Sequence, residues 1–65
     1  MFKVYVIRQQ KGGSQVMTDT RTTTPSREAA RAAFWYLHGK SYTPDHLLLL
    51  THEGMKLAVH RYGSA

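Results

Sequence analysis

The side chains best suited to move protons in this 65-residue sequence are four histidines, His38, His46, His52 and His60. Two of them have an acidic neighbour, His46 beside Asp45 and His52 beside Glu53, which invites acid–base chemistry. Adjacent residues on a strand point to opposite faces, so spacing alone makes a dyad of neither pair. The histidines also lack the spacing of a metal site, and there is no cysteine to supply a thiolate ligand or a disulfide. Lys11-Gly12-Gly13 could bring backbone amides to an anion. A phosphate loop, however, leads into a helix and carries Lys followed by Ser or Thr, whereas this segment joins two strands. It reads as a hairpin tip at which Arg8 and Lys11 can touch a phosphate. No catalytic residue, metal or cofactor is assigned on these grounds, and a small ribonuclease is the main enzymatic alternative.

A second constellation is more informative. On a helical wheel Arg27, Arg31, Trp35 and His38 share one side with Phe34 nearby, because positions three and four apart stack along a helix. Ala29, Ala32, Ala33, Tyr36 and Leu37 fall on the other side with Ala30 at its margin, and this alanine-rich side is expected to pack inward. A tryptophan among arginines and turned away from the core has the composition of an interface hot spot, and it also suits base stacking or phosphate contact. Nine Lys and Arg against four Asp and Glu give a net charge of +5 and a pI near 10.0. That balance favours nucleic acid or an acidic protein surface as partner.

The elements that must position these residues follow from hydrophobic periodicity. Residues 2–9 alternate strictly, and residues 15–23 are rich in β-branched side chains, so the two segments pair as a hairpin around the glycines. Thr24-Pro25-Ser26 opens a helix over 25–38, with Thr24 as cap, Pro25 in the first turn and Gly39 as a left-handed stop. Residues 47–52 and 55–62 form a second hairpin around Glu53-Gly54. The expected architecture is a single α+β domain over 1–65, ββαββ, a four-stranded antiparallel sheet in the order 2-1-3-4 with one helix on one face. Gly63-Ser64-Ala65 is expected to fray.

One helix covers only one face of such a sheet. The other is expected to present Lys3, Tyr5 and Lys56 together with Ile7, Leu47, Leu49, Ala58 and His60, a mixture too apolar for a solvated surface. This patch suits a second copy of the chain, a protein partner, or single-stranded nucleic acid. A chain this short buries only roughly 60% of the surface that its unfolded form exposes, so its core must be thin and a homodimer is an open alternative.

The longest apolar run is Leu47 to Leu50, far below the roughly 20 residues that span a bilayer. The alternating N-terminus reads as a strand rather than a signal peptide, and the absence of cysteine makes the cytoplasm the default location. In outline, two hairpins with an alanine-rich helix opened by Thr24-Pro25 resemble many small accessory proteins of phages and plasmids, including some anti-CRISPR proteins. The resemblance is architectural and transfers no functional residue; it implies a protein that works by binding a larger assembly. The reading that follows is a small basic non-enzymatic protein that engages nucleic acid or a nucleoprotein complex, with a protein-binding inhibitor or homodimer as the alternative.

Overall fold

Hydrophobic alternation along two valine- and leucine-bearing segments sets the centre of the sheet. In the computed structural model, which describes residues 1–63 (the side chains of Thr18 and Asp19 excepted), five elements follow in chain order. They are β1 (Phe2–Gln10), β2 (Gly13–Thr24), α1 (Arg27–His38), β3 (His46–His52) and β4 (Met55–Arg61). The strands form one sheet in the order β2-β1-β3-β4, with every neighbouring pair antiparallel, as connection direction and burial lead one to expect. Val4 and Val6 on β1 lie beside Leu50 and Leu48 on β3, and with Ala30, Phe34, Leu37 and Tyr62 they make the core.

Both outer strands are bulged. Between the pairs Val4–Thr22 and Val6–Met17, β2 carries extra residues opposite β1. Thr20 fills the gap in the ladder: the Val6 N–H donates to its hydroxyl oxygen (3.0 Å), and the hydroxyl donates to the Met17 carbonyl (2.7 Å). The pairing expected between residues 15–23 and 2–9 is therefore interrupted; Thr20 is buried in the gap, and Thr18 and Asp19 have no described side chain. On β4 the register shifts between Leu50 and Thr51, which pair with Ala58 and Lys56 and leave Leu57 as the extra residue. A one-residue insertion turns every following side chain to the opposite face. Bulges on both edges also disrupt the straight row of donors and acceptors that an edge-to-edge partner needs.

The helix begins two residues later than expected. Ser26 is the cap, its hydroxyl accepting the Ala29 N–H at 3.2 Å, while Thr24 accepts the Ser26 N–H at 3.1 Å and Pro25 stands outside the first turn. The buried stripe is Ala30, Phe34 and Leu37 with Ala33 half-buried, spaced i, i+3, i+4, i+7. This rotates the helix from the orientation expected: Phe34 is in the core, whereas Ala29, Ala32 and Tyr36 are exposed. Phenylalanine fills the space against the sheet, and the tyrosine keeps its hydroxyl in water.

Gly39 is not left-handed. It sits at φ −77°, ψ −6°, and its N–H donates to the Trp35 carbonyl at 3.3 Å. A methyl group there would meet nothing closer than a carbonyl oxygen at 3.7 Å. Gly39→Ala is thus expected to raise stability by about 0.4–1 kcal/mol through the unfolded chain. Thermal unfolding followed by circular dichroism should show a midpoint higher by about 2–8 °C.

The far end of the core is closed by Tyr62, whose hydroxyl donates to the Leu37 carbonyl at 2.5 Å and whose N–H donates to the His46 carbonyl at 3.2 Å. Tyr42 packs edge-on against it at 4.8 Å, so the loop 40–45 covers the helix side of the sheet. Gly63, expected to fray, lies instead at φ +71° with Pro44 so close that a Cβ would come within 2.7 Å of its side chain. Ser64 and Ala65 lie outside the described residues.

Candidate nucleic-acid interface

Because Val4, Val6, Leu48 and Leu50 point to the helix, Lys3, Tyr5, Ile7, Leu47, Leu49 and Thr51 point away from it. Cross-strand pairing then lays the uncovered face out in transverse rows. The first row is Thr23, Lys3, Thr51 and Lys56; the second is Tyr5, Leu49 and Val59; the third is Val16, Ile7, Leu47 and Arg61. Polar and basic groups thus stand at one end, and an apolar band crosses the middle.

Ala58 and His60 do not belong to this face. The Leu57 bulge places them opposite Leu50 and Leu48 on the helix side, where Ala58 packs on the core and His60 lies against His38 at 3.9 Å between ring centroids. Val59 and Arg61 take their positions, and Val59 is 51% exposed. Leu49 is only 7% exposed although no helix covers it.

Three adjacent shallow hollows mark the same surface, and Lys3 lines all of them. One is bounded by Met1, Thr23, Thr51 and Glu53, the next by Tyr5, Leu49, Thr51 and Lys56, the third by Tyr5, Val16 and Arg21. Lys3 and Lys56 stand two strands apart, about 10 Å, with Thr51 between them. The carboxylate at this end, Glu53, is 3.1 Å from the Met1 amino group, which neutralises it and holds its carboxyl below the usual range. Among the described residues, the remaining charged side chains on the face are basic: Lys3, Lys56, Arg21 and Arg61.

The other expected binding residues lie elsewhere. Arg27, Arg31 and Trp35 are on the outer side of the helix, across a molecule whose smallest extent is 20 Å, whereas His38 is half-buried at the flank of the helix against His60 of the sheet. Trp35 is 59% exposed, turned away from the core as its position among the arginines suggested. Lys11 is at the tip of the first hairpin, eight residues along β1 from Lys3 and thus on the order of 25 Å away. The expected set therefore divides into a sheet face, a helix face and a loop. Arg21, Val59 and Arg61 were missed. The signal for Arg21 was a second strand longer than its partner, which must bulge somewhere.

The histidines do not cluster: His38 and His60 pack on each other, His46 joins them only through tyrosine rings, and His52 stacks on Phe2 at 4.2 Å, its Nε2 3.9 Å from Glu53. Rings run from Trp35 to His38 (5.0 Å), His60 (3.9 Å), Tyr62 (5.0 Å), Tyr42 (4.8 Å) and His46 (5.0 Å). Asp45 and His46 do meet, with Oδ1 and Nδ1 3.1 Å apart, because Asp45 precedes β3 and is not bound by strand alternation. The Thr43 hydroxyl, with the Arg8 guanidinium at 3.0 Å as a second donor, holds the Asp45 carboxyl at about 2. These contacts pin the loop 40–45, with His46 buried behind them. Among the described residues no three His, Asp or Glu side chains are grouped to hold a metal, and no helix is long and apolar enough to cross a membrane.

Two of these groups, together with Glu53 and Tyr62, make folding depend on pH; the lowered Glu53 carboxyl, like that of Asp45, loses its stabilising effect as pH falls through the acid range. Burial, and secondarily His38, pushes His60 below its ordinary 6.5, so the unfolded chain takes up that proton first and stability falls as pH drops below about 6.5. Asp45 adds a second loss between about 3.8 and 2, where the unfolded carboxyl is protonated and the folded one is not. Burial raises Tyr62 from 10.0 to about 12, so the unfolded chain ionises first and stability falls again across that range. Urea midpoints measured against pH should show a maximum with these acid and alkaline flanks. Compared with known proteins, the chain matches no family model, no curated protein and no solved structure, so the reading of the site rests on its own geometry.

Proposed function

We propose that the protein is a non-enzymatic binder of single-stranded nucleic acid, alone or within a nucleoprotein complex, and that the uncovered sheet face is its platform. The observation that carries this is the row structure of that face, Lys3 and Lys56 on either side of Thr51 in a row next to the band of Tyr5, Leu49 and Val59, with Arg21 beside Tyr5. Bases stack on an aromatic ring while the lysines and arginine meet the backbone phosphates. A duplex suits the face less well. Four strands are about 14 Å across, and the major groove, about 12 Å wide, takes a helix or a two-stranded ribbon. The absence of cysteine fits work in a reducing compartment such as the cytoplasm.

The test is fluorescence anisotropy of a labelled single-stranded oligonucleotide titrated at several salt concentrations. Each phosphate contact on a single strand contributes about −0.7 to the slope of log K against log salt, so three contacts give about −2. Tyr5→Ala should weaken binding by about 1–3 kcal/mol, roughly 5- to 150-fold. A salt-independent affinity, or one that Tyr5→Ala leaves unchanged, would contradict the proposal.

A further inference from the structure

We infer that the outer side of α1 is a second docking surface, for a protein segment that combines carboxylates with apolar side chains. It is distinct from the sheet platform and does not depend on it. The inference starts from Trp35. Ala30, Ala33, Phe34 and Leu37 occupy the stripe that faces the sheet, so Trp35 projects outward; its ring contacts are Phe34 and His38. Trp35 is 59% exposed, which leaves a large apolar side chain mostly in water. Tyr36, 68% exposed, lies on its other flank with the Lys40 ammonium 4.9 Å from the ring centroid.

Charge identifies the occupant. Arg27 and Arg31 are exposed, one turn apart, and form no ion pair among the described residues. With Lys40 they outweigh Glu28, the only acidic residue of the helix. A surface with tryptophan and tyrosine at its middle and arginines at its rim has the composition of a protein interface hot spot. Its positive balance is complementary to an acidic partner. Nucleic acid fits less well here. The surface is the convex outer side of a single helix with two arginines one turn apart, too few to follow a phosphate backbone, whereas the apolar side chains of an amphipathic acidic segment can cover Trp35. With the sheet platform on the opposite face, both surfaces can be occupied at once, which would make the protein an adaptor between a nucleic acid and an acidic protein.

Trp35 is the only tryptophan, so its emission reports on this face directly. The probe is a synthetic amphipathic peptide of glutamate and leucine, with a leucine-free polyglutamate peptide and a single-stranded oligonucleotide as comparisons. The expected result is a saturable shift of Trp35 emission to shorter wavelength with the glutamate–leucine peptide and a weaker response to polyglutamate. R27E/R31E should weaken peptide binding at least tenfold, equivalent to about 1.4 kcal/mol. Lys3→Glu/Lys56→Glu should leave the peptide response unchanged, so loss of the platform and loss of this surface are told apart. Circular dichroism of each variant confirms that these exposed substitutions leave the fold intact. No saturable shift with the peptide, an equal shift with the oligonucleotide, or full binding by R27E/R31E would overturn the inference. A concentration-dependent shift without peptide would overturn it too, by placing a second copy of the chain on this face.

Discussion

Leu48→Ala is expected to remove a large share of the protein's stability. Leu48 is fully buried, beside Val6 on β1 and His60 on β4, beneath a helix that contributes Phe34 and Leu37 to the same cluster. Removing its isobutyl group costs the transfer energy of the lost atoms and leaves a cavity, together about 2–5 kcal/mol. A domain of this size holds only roughly 3–10 kcal/mol in total. The thermal midpoint should fall by at least about 8 °C. Leu49→Ala is the informative comparison. Leu49 is nearly as well buried by area, yet it lies on the uncovered face, where its row neighbours are Tyr5 and Val59 and no second layer confines it. Its loss should be clearly smaller, because the surroundings can relax into the space. Equal losses for the two variants would mean that the second face is covered after all.

The double charge reversal Lys3→Glu/Lys56→Glu should weaken binding to a single-stranded oligonucleotide on the order of 100-fold at low salt, equivalent to about 2.8 kcal/mol. It replaces two cations on either side of Thr51 by carboxylates in the row that opens the platform. Attraction to phosphate becomes repulsion, and the salt slope should flatten from about −2 to about −0.7 as two of the three contacts vanish. Stability should change little, because both side chains are exposed and surface substitutions of this kind usually fall within about 0.5 kcal/mol. The matched variant Arg27→Glu/Arg31→Glu changes net charge by the same amount on the helix face. It separates a local platform from a diffuse attraction between a basic protein and an acid, since only diffuse attraction treats the two pairs alike.

The strand order and the bare sheet face were legible because they depend on average properties. Val4, Val6, Leu48 and Leu50 can reach one core only if β1 and β3 are neighbours, and a single helix between the hairpins has one side of the sheet to cover. What was not legible depended on single-residue offsets. Reading Glu53-Gly54 as a two-residue turn was right at the tip, where His52 pairs with Met55, and failed one step later at the Leu57 bulge. That insertion moved Ala58 and His60 onto the helix side and brought Val59 and Arg61 to the platform. The composition of Met55–Arg61 favours the unbulged register, which sets Leu57 opposite Leu50 and Val59 opposite Leu48 on the helix side; the bulge instead sets Ala58 and His60 there.

The helix presented a comparable ambiguity. Its alanines and its aromatics each form a stripe, and the choice between Phe34 and Tyr36 as the inward aromatic was settled by the space above Val6 and Leu48, a property of the sheet rather than of the helix. The cap moved from Thr24 to Ser26 for a local reason: Ser26 reaches the Ala29 N–H, and Thr24 in turn holds Ser26. The contact between Asp45 and His46 escaped a rule that applies within strands, because Asp45 lies just outside one. Trp35, by contrast, was legible from its neighbours, as arginines at i−4 and i−8 leave that side of a helix no route into a thin core.

The platform is tested most directly by amide chemical shifts of the isotopically labelled protein, followed as a short single-stranded oligonucleotide is added. The perturbed amides are expected to map to Lys3, Tyr5, Arg21, Leu49, Lys56 and Val59, with the outer side of α1 unmoved. Perturbation confined to Arg27, Arg31 and Trp35, or none at all at low salt, would contradict it.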